Sequence, residues 1–233
     1  AVIGNAGLLA ETARSPDDEE LVAGIQRAAL RGRELTGRLQ GFVQLGPAVP
    51  DAVAMGPWAG DARRLLTPLT PERISLRCTA EPDAVAWVDR THLSVLVVNL
   101  FLNARDATSG RGEVRLHASV PPADRPPALG VPAGAWVRLD VTDDGHGMTP
   151  RDMARASEPF YTTRPPGLGV GLGLVTVASV VRAANGHVAF ASAPGRGTTV
   201  SVFLPRATPS RGQPDQSSST RTVPFSTAWP GTT

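Results

Sequence analysis

Residues 91–107 (THLSVLVVNLFLNARDA) form a run that is apolar almost throughout and long enough for more than four helical turns. A helix apolar nearly all round cannot face water and has to be covered by a sheet or by other helices. Two amides interrupt it: Asn99 and Asn103 stand four residues apart and therefore share a face. Placing them in apolar surroundings costs on the order of a few kcal/mol unless each finds a partner. Backbone carbonyls would serve. So would a hard cation such as Mg²⁺, which binds through a few protein oxygens together with substrate phosphates.

The neighbouring segments supply the cover. Residues 73–78, 84–88, 113–120 and 135–142 read as strands, the last alternating with Val137, Leu139 and Val141 on one face. Residues 171–184 read as a helix, and 187–192 and 198–204 as a closing strand pair around Ala193–Gly197. This order predicts a two-layer α/β (α+β) sandwich: a mixed sheet with helices over one face. Upstream, residues 1–14 and about 17–45 read as two helices joined at Ser15-Pro16-Asp17-Asp18, a helical hairpin with an apolar stripe. It would bury that stripe against another copy. Residues 46–62 are rich in Gly, Pro and Ala and read as a linker, leaving 63–206 as the main domain. Residues 207–233 are Ser, Thr, Pro and Gly with little apolar content and read as a disordered tail.

Composition removes several classes. Hydrophobic residues make up 41% and charged residues 19%, a globular balance. All 23 basic residues are Arg, so a P-loop, which needs Lys on the phosphates, and Schiff-base chemistry are excluded. A single cysteine, Cys78, excludes an intrachain disulfide and a Cys-cluster metal site. A net charge of +2 does not point to nucleic acid as a partner, since such partners usually need a concentrated basic face. No apolar run reaches the ~18 residues that span a bilayer, and no signal peptide is visible. The sequence opens with Ala1, as a fragment or a processed product would. Its Arg-only, Ala- and Pro-rich composition suits a high-GC bacterial genome.

Two further patterns point to chemistry. Asp143-Asp144-Gly145-His146-Gly147-Met148 follows the alternating strand, and no strand follows within hairpin distance. A carboxylate at a strand end can accept a hydrogen bond from the amino group of a base, and flanking glycines let a ligand approach the backbone; a plain Asp-Gly turn is the simpler alternative. Gly167-Leu-Gly169-Val-Gly171-Leu172-Gly173 runs into a helix, where backbone amides and the helix dipole favour phosphate. Its spacing is GxGxG rather than the GxGxxG of dinucleotide folds. Residues 149–168 read as a mobile lid, in which Phe160 could latch onto apolar surface while Thr162, Thr163 and Arg164 reach a terminal phosphate.

In order and spacing these segments resemble the nucleotide-binding boxes of the GHKL superfamily in its sensor histidine kinase form. Asn99–Ala107 resembles the N box, Asp143–Met148 the G1 box, Glu158–Thr163 the F box, Gly169–Leu174 the G2 box, and Gly195-Arg196-Gly197-Thr198-Thr199 the last glycine box. The resemblance covers roughly residues 1–205. It implies a GHKL-type mixed sheet preceded by a dimerisation hairpin, with ATP and Mg²⁺ as cofactors. Asp143 would recognise the adenine amino group, Asn103 would ligate Mg²⁺, and Asn99 would support the phosphates. Gly145, Gly147, Gly169, Gly171 and Gly173 would shape pocket and lid. Met148, Phe160, Thr162, Thr163, Leu172 and Thr198 would complete the nucleotide site, with Arg164 acting beside Asn99 and Asn103 in phosphoryl transfer.

The implied reaction passes the γ-phosphoryl group of ATP to a His on a dimerisation helix, and then to an Asp on a response-regulator receiver domain. The implied partners are a second copy of the chain and that receiver domain. The implied location is the cytoplasm, as in the cytoplasmic parts of membrane-anchored bacterial sensors.

The departures are specific. The four histidines, His92, His117, His146 and His187, all lie outside residues 1–45, so the acceptor of the resembled family is expected about seven residues before Ala1. Arg164 stands where related lids usually carry Lys, which keeps the charge and changes the geometry. Asp144 replaces a more common Asn. GHKL ATPases carry a Glu four residues before the metal-binding Asn, to activate water; here that position is Asn99. An anti-sigma Ser/Thr kinase of the same fold would not need the hairpin. A nucleotide-binding regulatory module without kinase activity is the alternative from a different class.

Overall fold

The computed structural model describes Ser15, Asp18, and residues 20–25, 46–128, 130–164 and 171–207. Its elements run β1 (Asp51–Ala54), α1 (Met55–Leu66), a 3₁₀ turn (Thr67–Leu69), β2 (Ile74–Ala80), β3 (Val85–Val88), α2 (Arg90–Ala107), β4 (Gly112–Ser119), β5 (Trp136–Asp143), α3 (Pro150–Arg155), α4 (Gly173–Ala183), β6 (His187–Ser192) and β7 (Thr198–Pro205). Five strands form one sheet in the order β2-β4-β5-β7-β6. The β2–β4 pair is parallel and the others are antiparallel, so the sheet is mixed. β1 and β3 form a separate antiparallel pair.

The apolar helix α2 is covered as its composition demands. Leu93, Leu96, Val97, Leu100, Phe101 and Ala104 are buried. They share one core with Val177, Val180 and Val181 of α4 and with the inward residues of β4, β5, β6 and β7. Asp89 starts the helix: one carboxylate oxygen accepts the backbone N–H groups of Thr91 and His92 at 2.8 and 2.9 Å. Its other oxygen accepts the N–H of Val49 at 2.9 Å and so ties the incoming chain to this helix end. The inward alternation of β5 ends on Asp143 rather than on an apolar residue, because Val137, Leu139, Val141 and Asp143 share one face of a period-2 strand.

The expected two-layer α/β sandwich with a mixed sheet is what forms. The expected linker over 46–62 is not: Asp51–Ala54 is a strand, and α1 begins at Met55. Its Gly, Pro and Ala serve packing instead. Pro57 sits in the first turn, where its missing N–H breaks no helical bond. Ala59 and Ala62 let α1 lie close to the core, and Val53, Met55 and Trp58 join that core. The folded domain therefore begins before residue 63.

Of the expected helical hairpin, Asp18 and residues 20–25 are helical, the Asp18 N–H donates to the Ser15 hydroxyl at 3.2 Å, and Val22 is buried; the remainder lies outside the described residues, as does the tail beyond Ala207.

The second face of the sheet carries its own small cover. Phe203 is fully buried there, beside Arg138 and His187 in register. The rings of Trp136 and His187 meet edge to face at 5.1 Å, and the Trp136 indole donates to the Pro132 carbonyl at 2.9 Å. The Pro-rich loop is thereby fastened to this face.

Because Met55 is fully buried, Met55→Ala is expected to destabilise the domain by about 2–5 kcal/mol. Urea unfolding would read this as a lowered midpoint with an unchanged slope. A midpoint equal to the parent's would return residues 46–62 to the status of a linker.

Candidate active site

Asp143 forms the floor of a cleft between the sheet and α2. It is 7% exposed, and its Oδ1 accepts the N–H of Gly145 at 2.9 Å. Burial pushes its carboxyl pKa above the usual range, and the adjacent Asp144 charge adds to this; backbone N–H groups of Gly145 and Thr198 and the nearby His146 pull the other way without reversing it. No cation is paired with it among the described residues. A buried carboxylate that opens on a cleft is an acceptor suited to a ligand's N–H.

The loop after Asp143 is clamped from both sides. The His146 N–H donates to the Ala107 carbonyl at the end of α2 at 3.1 Å, and the Gly195 N–H donates to the His146 carbonyl at 2.8 Å. Gly147 and Gly197 both have positive φ, +67° and +70°. A Cβ on Gly147 would overlap the Ala193 carbonyl, and one on Gly197 would overlap the Asp143 carbonyl. Asp144 points away from the cleft and accepts the Glu113 N–H at 2.9 Å. Ser192 completes the clamp: its hydroxyl accepts the Met148 N–H at 2.8 Å and donates to the Gly197 carbonyl at 3.0 Å.

Above the floor the walls are apolar. Leu100, Ala104 and Ala107 from α2 face Val141, Met148, Phe190 and Val200 across a slot open to solvent. The mouth is polar. Asn103, Thr162, Thr163, Arg164, Gly171 and Gly173 line it, and the whole cleft with its open mouth encloses about 1040 Å³. The first residue of α4, Gly173, abuts both amides: a Cβ there would lie 3.2 Å from Asn103 Nδ2 and 3.5 Å from Asn99 Oδ1. A helix N-terminus thus opens beside Asn103, an arrangement that attracts anions. One edge of the mouth is pinned by Tyr161, whose hydroxyl donates to Asp152 at 2.7 Å while Arg155 stacks 4.1 Å from its ring centre.

Most of the expected site residues converge here: Asp143, Met148, Asn103, Thr162, Thr163, Arg164, Gly171, Gly173 and Thr198 all line the cleft. Gly145 and Gly147 shape its floor through backbone. Three expectations change. Asn99 does not line the cleft; its Nδ2 donates to the Val95 carbonyl at 2.8 Å, a partner within its own helix. Leu172 is buried, and its carbonyl accepts the N–H and hydroxyl of Thr176, so it starts α4 rather than touching the cleft. Phe160 is 69% exposed rather than latched: its φ is +66°, and its N–H donates to the Gly171 carbonyl. Gly169 and residues 165–168 of the expected lid lie outside the described residues.

The slot residues were missed by motif but not by pattern. Leu100, Ala104 and Ala107 share the helix face of Asn103, and Val141 shares the strand face of Asp143. Tyr161 and Asp152 meet across a loop and left no such signal.

A mixed five-stranded sheet with helices over one face, ending in a buried Asp and clamped glycine loops, defines a nucleotide-type cleft at strand ends. Residues 88–208 match the family described as histidine kinase-, DNA gyrase B-, and HSP90-like ATPase, and the chain belongs to that family. Within it the likeness is to sensor histidine kinases. The chain is 30% identical over 213 residues to the sensor kinase CckA of Brucella abortus (strain 2308), covering 88% of this chain and 22% of that protein. It is 30% identical over 137 residues to sporulation kinase B of Bacillus subtilis (strain 168), covering 58% of this chain and 29% of that protein. The chain thus spans about a quarter of the length of these relatives. Full-length ShkA, crystallised in complex with AMPPNP, superposes with a TM-score of 0.66 at 25% identity, over 90% of this chain and 43% of that one. The mycobacterial sensor histidine kinase MprB shares the fold, with a TM-score of 0.53 over 68% of this chain and 98% of that one.

The Asp143 shift has a testable sign. A raised folded pKa favours the fold in the protonated state: this contribution is fully present below the unfolded value of about 3.9 and is lost as pH rises through the folded value. Ligand-free protein should therefore lose stability, relative to Asp143→Asn, as pH rises from about 4 toward 7. Urea unfolding across that range checks it; parallel stability curves would mean that Asp143 ionises as freely in the fold as in the unfolded chain.

Proposed function

We propose that the chain is the nucleotide-binding and phosphotransfer unit of a sensor histidine kinase, spanning about residues 51–206. The observation that carries this reading is the buried Asp143 carboxylate at the end of an apolar slot. A flat base fits between Leu100, Ala104, Met148 and Phe190, with its exocyclic amino group donating to Asp143. The ribose and phosphates then extend toward Asn103, the α4 N-terminus and Arg164. The family match and the likeness to an AMPPNP-bound structure support the same ligand class.

The donor set fits Mg²⁺ at Asn103. Its amide makes no hydrogen bond among the described residues and lines the mouth, whereas the Asn99 Nδ2 is tied to the Val95 carbonyl of its own helix. Bound through the Asn103 oxygen, the ion would neutralise charge on the phosphates. Asn99 then supports the site by packing against Gly173 rather than by reaching the phosphates. Arg164 would hold terminal phosphate oxygens, and catalysis would consist mainly of positioning and charge neutralisation.

The acceptor would be a neutral His Nε2 on a dimerisation helix. The four histidines of this chain have other places: His92 is buried at the start of α2, His117 is bonded to Thr79, His146 lines the cleft, and His187 packs on Trp136. Residues 1–45 would pair with a second copy, and the phosphoryl group would pass to an Asp of a receiver domain. Among the described residues no helix is long and apolar enough to cross a membrane. The cytoplasm is the compartment this activity implies.

Mixing the chain with γ-labelled Mg-ATP and a copy extended at its N-terminus by an acceptor helix tests the reading. Acid-labile, base-stable label on the extended copy is expected. ATP binding without label on any acceptor, including an extended copy with its own intact cleft, would favour a nucleotide-binding regulator. Asp143→Asn should weaken ATP binding at least about tenfold, since a charged hydrogen bond contributes about 1.5–3 kcal/mol. Asn103→Ala should weaken binding more with Mg²⁺ than without it; calorimetry showing equal losses would remove Asn103 as the ligand.

A further inference from the structure

Asp106 lies three residues beyond Asn103 in the last turn of α2, and it joins two arginines. Its Oδ1 accepts Nε and Nη2 of Arg105, at 2.9 and 2.7 Å. Its Oδ2 accepts Nη1 of Arg164 at 2.6 Å. Arg164 comes from the loop after α3, far along the chain, and it lines the cleft. The two side chains are only 26% and 23% exposed. A partly exposed pair of this kind contributes little to folding stability. Its consequence lies in where it places Arg164.

Two features make the placement specific. Arg105 occupies Oδ1 with a two-pronged contact, which fixes the carboxylate and leaves Oδ2 turned toward the loop. Arg164 spends one donor on Oδ2, and among the described residues its Nε and Nη2 make no hydrogen bond. Those donors remain available as a fork for phosphate oxygens, which a lysine in the same place could not present. Held without this contact, a long guanidinium side chain would have to be ordered each time a ligand bound.

We propose that Asp106 is a positioning residue for phosphate recognition: fixed by Arg105, it holds Arg164 at the mouth of the cleft with two donors directed to the anion. This rests on the reading of the cleft as a nucleotide site. It predicts that Asp106 matters only for ligands that carry phosphates, and only while Arg164 is present.

The test is a double-mutant cycle in the 233-residue chain, with Mg-AMPPNP and adenosine as the two calorimetric probes. Asp106→Asn should weaken AMPPNP binding about five- to tenfold and leave adenosine binding within about twofold. In an Arg164→Ala background the same substitution should change AMPPNP affinity by less than about twofold. Asp106→Glu, which keeps the charge, should restore affinity to within about twofold of the parent. Tighter AMPPNP binding by Asp106→Asn would overturn the proposal, because it would mean that Asp106 competes with phosphate for Arg164. An undiminished effect in the Arg164→Ala background, or an equal loss for adenosine, would overturn it as well. Failure of the parent chain to bind either probe would overturn the nucleotide reading itself, an outcome distinct from binding without coupling.

Discussion

The clamp on residues 143–148 is the constraint on which the site depends. The loop after β5 has to pass between the carboxyl end of α2 and the β6–β7 turn, and there is no room for a Cβ on Gly147 or Gly197. Carbonyls of Ala193 and Asp143 occupy those positions. Hydrogen bonds from His146 to Ala107 and from Gly195 to His146 draw the three segments together. Helix, sheet and turn are thereby set in one register around a single side chain. A loop held this way fixes the position of Asp143 relative to the apolar slot.

That fixed position has a thermodynamic consequence. A carboxylate placed on the inward face of β5 is desolvated, and its raised pKa reports the resulting strain on the charged form. Backbone N–H groups of Gly145 and Thr198 offset part of the loss but leave the group short of a full set of partners. The fold carries an unfavourable term that a ligand's amino group would relieve. Asn103 repeats this pattern in milder form at the mouth, while Asn99, one turn earlier on the same face, donates one amide N–H to the Val95 carbonyl.

Much of this was legible in the sequence because it follows from periodicity. The eight strand and helix segments expected from residue 73 onward all form, with ends shifted by a residue or two. Asp143 could be placed at a strand end because β5 alternates so regularly. What failed did so for identifiable reasons. Residues 46–62 read as a linker because Gly, Pro and Ala are turn signals in isolation, yet Pro in a first helical turn and Ala at a close contact are compatible with a helix. Phe160 reads as a latch from its type alone. In the fold it is largely exposed, with a positive φ and its N–H bonded to the Gly171 carbonyl. Leu172 sits among glycines in the sequence but faces the core in space. Contacts such as Tyr161 with Asp152, or Arg164 with Asp106, join loops to distant elements and leave no periodic trace.

The two ends of the cleft are consequently built on different principles. The floor and slot belong to α2 and to the strands of the central sheet, whose residues are buried in one core; their geometry is set by packing, which changes little on the scale of an ångström. The mouth is held by side-chain ion pairs and hydrogen bonds on loops: Asp106 with Arg164, Asp152 with Tyr161, Arg155 with Glu158. Such contacts are individually weak and screened by salt. Arg164 stands between the two: its planar, multiply donating side chain holds an internal carboxylate through one donor and keeps others for a ligand at the mouth.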